Sequence, residues 1–374
     1  MQLNVFIEIF SKLSDSRVER TKKHCFLDIL GLALFAVLAG AQAYTEIEDF
    51  CRHHRDWLKS YFILPHGIPS HDTFARVFSM IDPEAFQECF FIWVKSLIEF
   101  FPEDVIPIDG KSIRATRDTR KGFKALHVVS AWSCANGLSL GQIKVDEKSN
   151  EIVAVPELLK KLCIEGAIIT LDAMGCQRAL ATQIIDAKAD YIFRVKANQG
   201  GLLEALESTF STANQKNYQD IMHFTAKDEA NNDHGRIEQR TCIVLPMMYC
   251  AMMRKKWKGL KSLVLIISER ETLGGKATEF RYYISSLDPK DPKRILMAIR
   301  AHWQIENNCH WLLDVAYRED QSRIRDENGA MNMAWLRKTA LALLKRSDHI
   351  KGSVRRKQLA LWAKPQDILN MVKI

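Results

Sequence analysis

Three acids stand where a cation could be held. Asp109 closes the short apolar run Val105–Ile108, Asp172 closes the fully apolar run Ala167–Leu171, and Glu306 lies inside the helix-periodic segment Arg300–Asp320. Carboxylates gathered on one point, with no Lys or Arg between them, repel one another unless a cation neutralises them. Hard oxygen donors with no Cys or His in the immediate set point to Mg²⁺ or Mn²⁺. Two such ions, roughly 4 Å apart, stabilise the attacking and leaving oxygens of a phosphoryl transfer. Each acid also has an ordinary reading. Strands often end in Asp, and a Glu on an amphipathic helix is commonly solvated.

The elements around these acids decide whether they can meet. In the segment RAHWQIENNCHWLLDVAYRED, Ile305, Cys309, Leu312 and Ala316 recur at i, i+4, i+7 and i+11, one face of an α-helix. Trp303, Asn307, His310 and Asp314 fall on the other side. Glu306 sits on the seam, with His302 one turn before it. Upstream, Lys124–Cys134 and Leu138–Val145 are β-rich runs joined by Ala135-Asn136-Gly137, a hairpin signal. Glu151–Cys163 and Gly175–Ala187 are helix-periodic, and Tyr191–Val195 is a further strand. This alternation predicts a mixed α/β sheet, in which ligands collect at the carboxyl ends of strands. Residues 200–288 break the rhythm with a helix over Leu202–Phe210, a polar loop at Asn231–Gly235 and three β-like runs, Glu238–Leu245, Ser262–Ser268 and Glu279–Ser286. They read as a β-rich insertion ahead of the Glu306 helix.

Residues 1–101 read as a helical domain, either a candidate DNA reader or a bundle that only packs. Phe6, Ile9, Phe10 and Leu13 space as a first helix, Leu27–Ala43 as a buried second, and Ile47, Phe50, Trp57, Leu58 and Phe62 as a third. Ser70 and Asp72, then Asp82-Pro83-Glu84, are helix-start signals. Residues 102–350 form the catalytic domain, and 351–374 a basic tail. Of the formal net charge of +8, residues 321–374 carry all: 12 Lys/Arg against 4 Asp/Glu. A basic end on a neutral body suits a polyanion, nucleic acid before membrane, although a solvated helix face is the plainer alternative.

Composition excludes other classes. A 374-residue chain with 47% hydrophobic and 26% charged residues has the make-up of a soluble globular protein. Nine cysteines, an odd number with no CxxC pair, argue against a disulfide framework or a zinc ribbon and for a reducing compartment. The start MQLNVFIEIFSKLSDSR lacks the basic opening and cleavage site of a signal peptide. The longest apolar run, Ile29–Ala43, falls short of the about 20 residues a membrane helix needs.

Several of these stretches carry a resemblance. IPIDGKSIRATRD around Asp109, ITLDAMGCQ around Asp172, DYIFRVKANQ, HGRIEQR and RAHWQIENNCHWLLDVAYREDQSRIR around Glu306 resemble the H-repeat-associated insertion-sequence transposases, which have an Asp-Asp-Glu active site. LDILGLALFAVLAGA and GIPSHDTFARVF resemble the helical domain that precedes the catalytic one there. The match spans about residues 5–370.

The resemblance implies a ribonuclease-H-like fold, with Asp109, Asp172 and Glu306 as ligands of two Mg²⁺ (or Mn²⁺) ions. It implies cleavage at transposon ends and joining of the 3′-OH to target DNA, and so double-stranded DNA as partner, a homodimer on the paired ends, no membrane, and a bacterial cytoplasm with nucleoid association when DNA-bound. Related transposases carry Tyr-x2-Arg-x3-Glu-x6-Lys. Counted from Glu306, those places hold Ile299, His302 and Leu313, so His302 is expected in the Arg role. Lys111, Arg114, Lys196 and Arg300 are the expected phosphate holders, Asn198 and Gln199 contacts beside the site, and Arg355, Arg356 and Lys357 the source of non-specific affinity. Trp303 and Trp311 are expected in a packed core or interface. Trp303, Asn307, His310 and Asp314 form an outer rim that orients Glu306 or a water. Three rivals share parts of this evidence: a nuclease of the same fold without strand transfer, an inactive or domesticated DNA-binding relative, and a hydrolase of small phosphates.

Overall fold

The computed structural model describes residues 2–95, 103–118, 122, 124–145, 151–233, 236–250, 253, 256–272 and 275–372. The chain forms two compact units. One gathers residues 1–100, 110–148 and 306–374, and the other residues 101–109 and 149–305.

The first unit is built from helices α1 (Gln2–Phe10), α2 (Phe26–Leu38), α3 (Tyr44–His53), α4 (Arg55–Leu58), α5 (His71–Met80) and α6 (Pro83–Lys95). The apolar run is α2, with Ile29 to Leu38 all buried. It stops because Gly40 adopts a φ of +96°, a left-handed turn that a side chain disfavours. The expected third helix divides at His54 into α3 and α4. Ser70 caps α5 by accepting from the Thr73 N–H, and Asp82 accepts from the Ala85 N–H at the start of α6.

This unit also holds strands β2 (Leu126–Ser133) and β3 (Leu138–Val145), the antiparallel hairpin expected around Asn136-Gly137. β2 lies between β3 and β1 (Val105–Ile113), whose residues 110–113 belong here.

The centre of the first unit is a 20-residue helix near the end of the chain, Glu327–Arg346, in which every residue from Gly329 to Leu344 is buried. A helix buried on all sides needs internal partners for its polar groups. Asn332 donates to the Phe78 and Ile81 carbonyls at 2.9 and 3.0 Å, and Lys338 Nζ donates to Ser130 Oγ and Gln142 Oε1 at 2.7 and 2.6 Å. The segment expected as a basic tail carries two further helices, Val354–Ala363 and Ile368–Val372. Lys357, expected on DNA, is corrected. It is buried, and its ammonium donates to the Leu344 and Ser347 carbonyls at 2.7 and 2.6 Å, satisfying the end of the central helix. Arg355 and Arg356 remain exposed.

The second unit is a mixed sheet with helices. Its strands run in the order β1, β4 (Ile168–Leu171), β5 (Asp190–Val195), β10 (Gly275–Ser285), β9 (Ser262–Thr272), β8 (Arg236–Pro246), β6 (Phe224–Lys227), with β7 (Asn231–Asp233) paired to β8. β1, β4 and β5 are parallel; the rest are antiparallel. The expected insertion is therefore part of the sheet, since β10 hydrogen-bonds directly to β5. Helices α7 (Glu151–Lys161), α8 (Arg178–Asp186), α9 (Gly200–Gln215) and α10 (Pro292–Ala301) complete the unit. Ile168, Ile192, Val244, Val264 and Ile266 pack with Ile295, Leu296 and Ile299 of α10. The architecture is the expected mixed α/β sheet with a β-rich stretch, preceded by helices. Among the described residues, no helix is long and apolar enough to cross a membrane.

Candidate active site

In the second unit the parallel register pairs Ile108 of β1 with Leu171 of β4. The next residue on each strand is an aspartate, Asp109 and Asp172. Neighbouring strands lie about 4.8 Å apart, and residues level in a parallel pair share a face. Asp109, expected to close its strand, is corrected: β1 runs on to Ile113, so Asp109 lies mid-strand, level with Asp172 just past the end of β4, and both are half-buried. The residue level with them on β5 is Arg194, since Leu171 pairs with Phe193. Arg194 Nη1 stands 3.6 Å from Asp172 Oδ1, and Lys196 Nζ lies 2.9 Å from Oδ2. Burial alone would raise the Asp172 pKa, but the Lys196 hydrogen bond, the Ala173 amide and both cations carry it below the ordinary carboxylate value. Asp172 is an anion at neutral pH.

Arg194 was not among the expected residues. Its signal is the pattern Arg-x-Lys at the end of a strand following one that ends in Asp: i and i+2 share a face of the strand.

The loops beyond these strands are braced. Asn198 Nδ2 donates to the Ala173 carbonyl at 2.7 Å and Gln199 Nε2 to the Cys176 carbonyl at 2.9 Å, tying the turn after β5 to the turn after Asp172. Arg300 pairs with Asp228 at 3.2 Å and is half-exposed.

His302 is corrected as a cationic stand-in for Arg. Its Nδ1 lies 2.9 Å from Thr170 Oγ1, and burial lowers its pKa to about 4, against weaker opposition from Asp172. The ring is neutral at pH 7 and cannot clamp a phosphate by charge. This makes stability depend on pH. The folded pKa is depressed, so this stability is present above the unfolded value of about 6.5 and is lost as pH falls toward 4. Denaturant titrations from pH 7 to 4 should show the parent losing on the order of 3 kcal/mol more than His302→Gln. Parallel curves for the two proteins would refute this assignment.

Trp303 is 42% exposed, with the Arg281 guanidinium 5.8 Å from its ring centroid, and Trp311 is 58% exposed. Neither packs in a core, which leaves the interface of the two settings expected for them.

Glu306 belongs to the first unit and is exposed. It opens a five-residue π-turn, Glu306–His310, preceded by the helical turn Trp303–Ile305 and succeeded by the helix Trp311–Tyr317. A π-turn holds one residue more than an α-turn, and such insertions recur at functional sites. It also shifts the downstream residues by one position, about 100° around the helix. The buried set is accordingly Ile305, Cys309, Leu313 and Ala316, with Leu313 in the place expected of Leu312. Asn307 is exposed. His310 is neutral at pH 7, because burial, with help from Lys338 and Lys111, lowers its pKa to about 3.

Asp314, expected to orient Glu306, instead meets Lys111. Lys111 Nζ donates to Asp314 Oδ1 at 2.6 Å, Glu319 Oε2 at 3.0 Å and the His310 carbonyl at 3.2 Å. Lys111 is therefore corrected as a phosphate holder. Its ammonium is largely buried and fully engaged, and although burial pulls its pKa down, Glu319 and Asp314 hold it above the ordinary lysine value. Arg114 is exposed and pairs with Asp320 at 3.1 Å.

The donor set has the chemistry of a divalent-cation site. Asp109 and Asp172 supply hard oxygens at level positions of neighbouring strands. Asp172 Oδ1 is buried and accepts no hydrogen bond, an orphaned acceptor of the kind a cation would satisfy. The two aspartates fit. Among the described residues, no three His, Cys, Asp or Glu side chains are grouped so as to hold an ion by themselves.

A mixed sheet that sets two aspartates level on adjacent parallel strands is the frame in which the comparisons stand. Residues 100–343 match the family model described as Transposase DDE domain, and residues 7–94 match the one described as DDE_Tnp_1-associated. The chain is a member of the DDE-domain transposase family. It is 44% identical over 363 residues to the "Putative transposase YncI" of Escherichia coli O157:H7, covering 96% of this chain and 92% of that one. It is 41% identical to the H repeat-associated protein YhhI of Escherichia coli K12, over 96% and 94% of the two chains. A piggyBac transposase solved as a synaptic complex with hairpin DNA superposes with a TM-score of 0.46 at 10% identity, over 100% of this chain and 81% of that one. That likeness is too distant to carry function.

Proposed function

We propose that this protein cuts DNA at the ends of an insertion sequence and joins the freed 3′-OH to target DNA. The observation that carries the reading is the pair Asp109 and Asp172, level on adjacent parallel strands, in a chain whose family model spans 100–343. Asp109, Asp172 and Glu306 would hold divalent ions, Mg²⁺ or Mn²⁺. Two bound ions would lower the pKa of the attacking water and stabilise the leaving 3′ oxygen.

The chain's own residues then position and balance charge. Asp109 and Asp172 supply the anionic floor, and Glu306 reaches out from an exposed helix position. Asn198 and Gln199 keep the turns beyond β4 and β5 fixed, so the Asp172 carboxylate does not drift. Arg355 and Arg356 lend non-specific affinity for phosphates that weakens with salt. Two copies, one on each transposon end, would complete the assembly.

The deciding experiment tracks products. Supercoiled DNA carrying the element's own ends is incubated with the protein and Mg²⁺, and the fragments are sequenced. The expected result is element ends covalently joined to new DNA. Free cut ends alone would favour a nuclease of the same fold, and metal-independent binding without cutting would favour an inactive relative.

A further inference from the structure

Asp172 is already engaged by the chain's own cations. Lys196 Nζ holds Oδ2 at 2.9 Å, and Arg194 lies 3.6 Å from Oδ1. The two cations differ in how they are held. Arg194 lies within β5, a quarter exposed, between Asp172 and Glu279, which is 3.9 Å from its Nη2. Lys196 lies just past the strand end, is 44% exposed, and pairs with Asp172. A lysine is a compact point charge on a flexible four-carbon stem, able to leave one anion and reach another.

A divalent ion and an ammonium cannot share one carboxylate at contact distance without strong mutual repulsion. We propose that Lys196 is a placeholder cation. It neutralises Asp172 in the unloaded chain, is displaced when a divalent ion binds, and then reaches a DNA phosphate, while Arg194 stays. Loading the ion and gripping DNA are coupled through this one side chain. The inference rests on the reading of Asp172 as a metal ligand.

The test is a Mn²⁺ titration of the full chain without DNA, monitoring free Mn²⁺ by electron paramagnetic resonance. Parent, Lys196→Met, Lys196→Gln and Asp172→Asn proteins are compared after their thermal melts are matched. At the site that Asp172→Asn removes, both Lys196 variants should bind Mn²⁺ about tenfold more tightly than the parent, as losing a half-exposed competing cation allows. Equal affinity in the parent and both Lys196 variants overturns the placeholder and leaves Asp172 a ligand. Binding that Asp172→Asn does not change overturns both readings. In a second measurement, the salt dependence of binding to a short duplex should steepen by about one ion on adding Mn²⁺ to the parent, and not in Lys196→Met. An unchanged slope in the parent overturns the transfer to phosphate.

Discussion

Asp172→Asn should lose DNA cleavage by on the order of 10³-fold while remaining folded. The substitution keeps the shape of the side chain and removes the charge that a divalent ion needs. Its structural cost is small, because both ion pairs it breaks are partly exposed and such pairs contribute about 0–1 kcal/mol. Asp109→Asn and Glu306→Gln should fall equally far, since the proposed function makes all three ligands of the same ions and losing any ligand would remove most of the activity. Single-turnover cleavage of end-containing DNA in Mg²⁺, beside a thermal melt of each variant, separates lost chemistry from lost fold. Three variants that cut like the parent would sink the assignment of all three acids.

Glu319→Ala should destabilise the chain by about 3 kcal/mol, read as a lower midpoint in urea at an unchanged slope. Glu319 is 1% exposed, with Lys111 at 3.0 Å and the buried Arg337 at 4.0 Å. Arg337 also donates to the Gln42 carbonyl at 2.8 Å and to Ser322 Oγ at 3.2 Å. Removing the carboxylate takes the acid from beside the buried Arg337 and leaves Lys111 with Asp314 alone, and an uncompensated buried charge is what makes such breaks severe. Arg114→Ala offers the contrast. Its pair with Asp320 leaves Arg114 84% exposed, and the loss should be within about 1 kcal/mol. Equal losses from the two substitutions would show that burial does not set the energetics here.

The fold was largely legible because its strongest signals are local. The run Ala167–Leu171 can be little but a buried strand, and an acid closing it stands at a strand end wherever the strand lies in the sheet. The hairpin at Asn136-Gly137 and the caps at Ser70 and Asp82 are equally short-range. The π-turn at Glu306 was not legible. Side-chain periodicity assumes one backbone hydrogen-bond pattern, and a single extra residue in the turn moved Leu313 into the place expected of Leu312. Charges misled for a related reason. Lys111 and Lys357 look like solvated cations in sequence, yet each neutralises groups that only the tertiary fold buries, a pair of acids in one case and two terminal carbonyls in the other. Arg194 was overlooked because its meaning depends on a register that pairs β5 with β4.

The central helix Glu327–Arg346 also shapes how the protein can be made. The N-terminal helices leave their inner faces unmatched until this helix arrives, for Asn332 completes the Phe78 and Ile81 carbonyls and Arg337 the Gln42 carbonyl. On a ribosome adding about 5–20 residues per second, those helices would emerge on the order of tens of seconds before their partner. The first unit therefore assembles only after Arg346 has emerged, and a message cut short before the codon for Glu327 would yield chains exposed to aggregation and proteolysis.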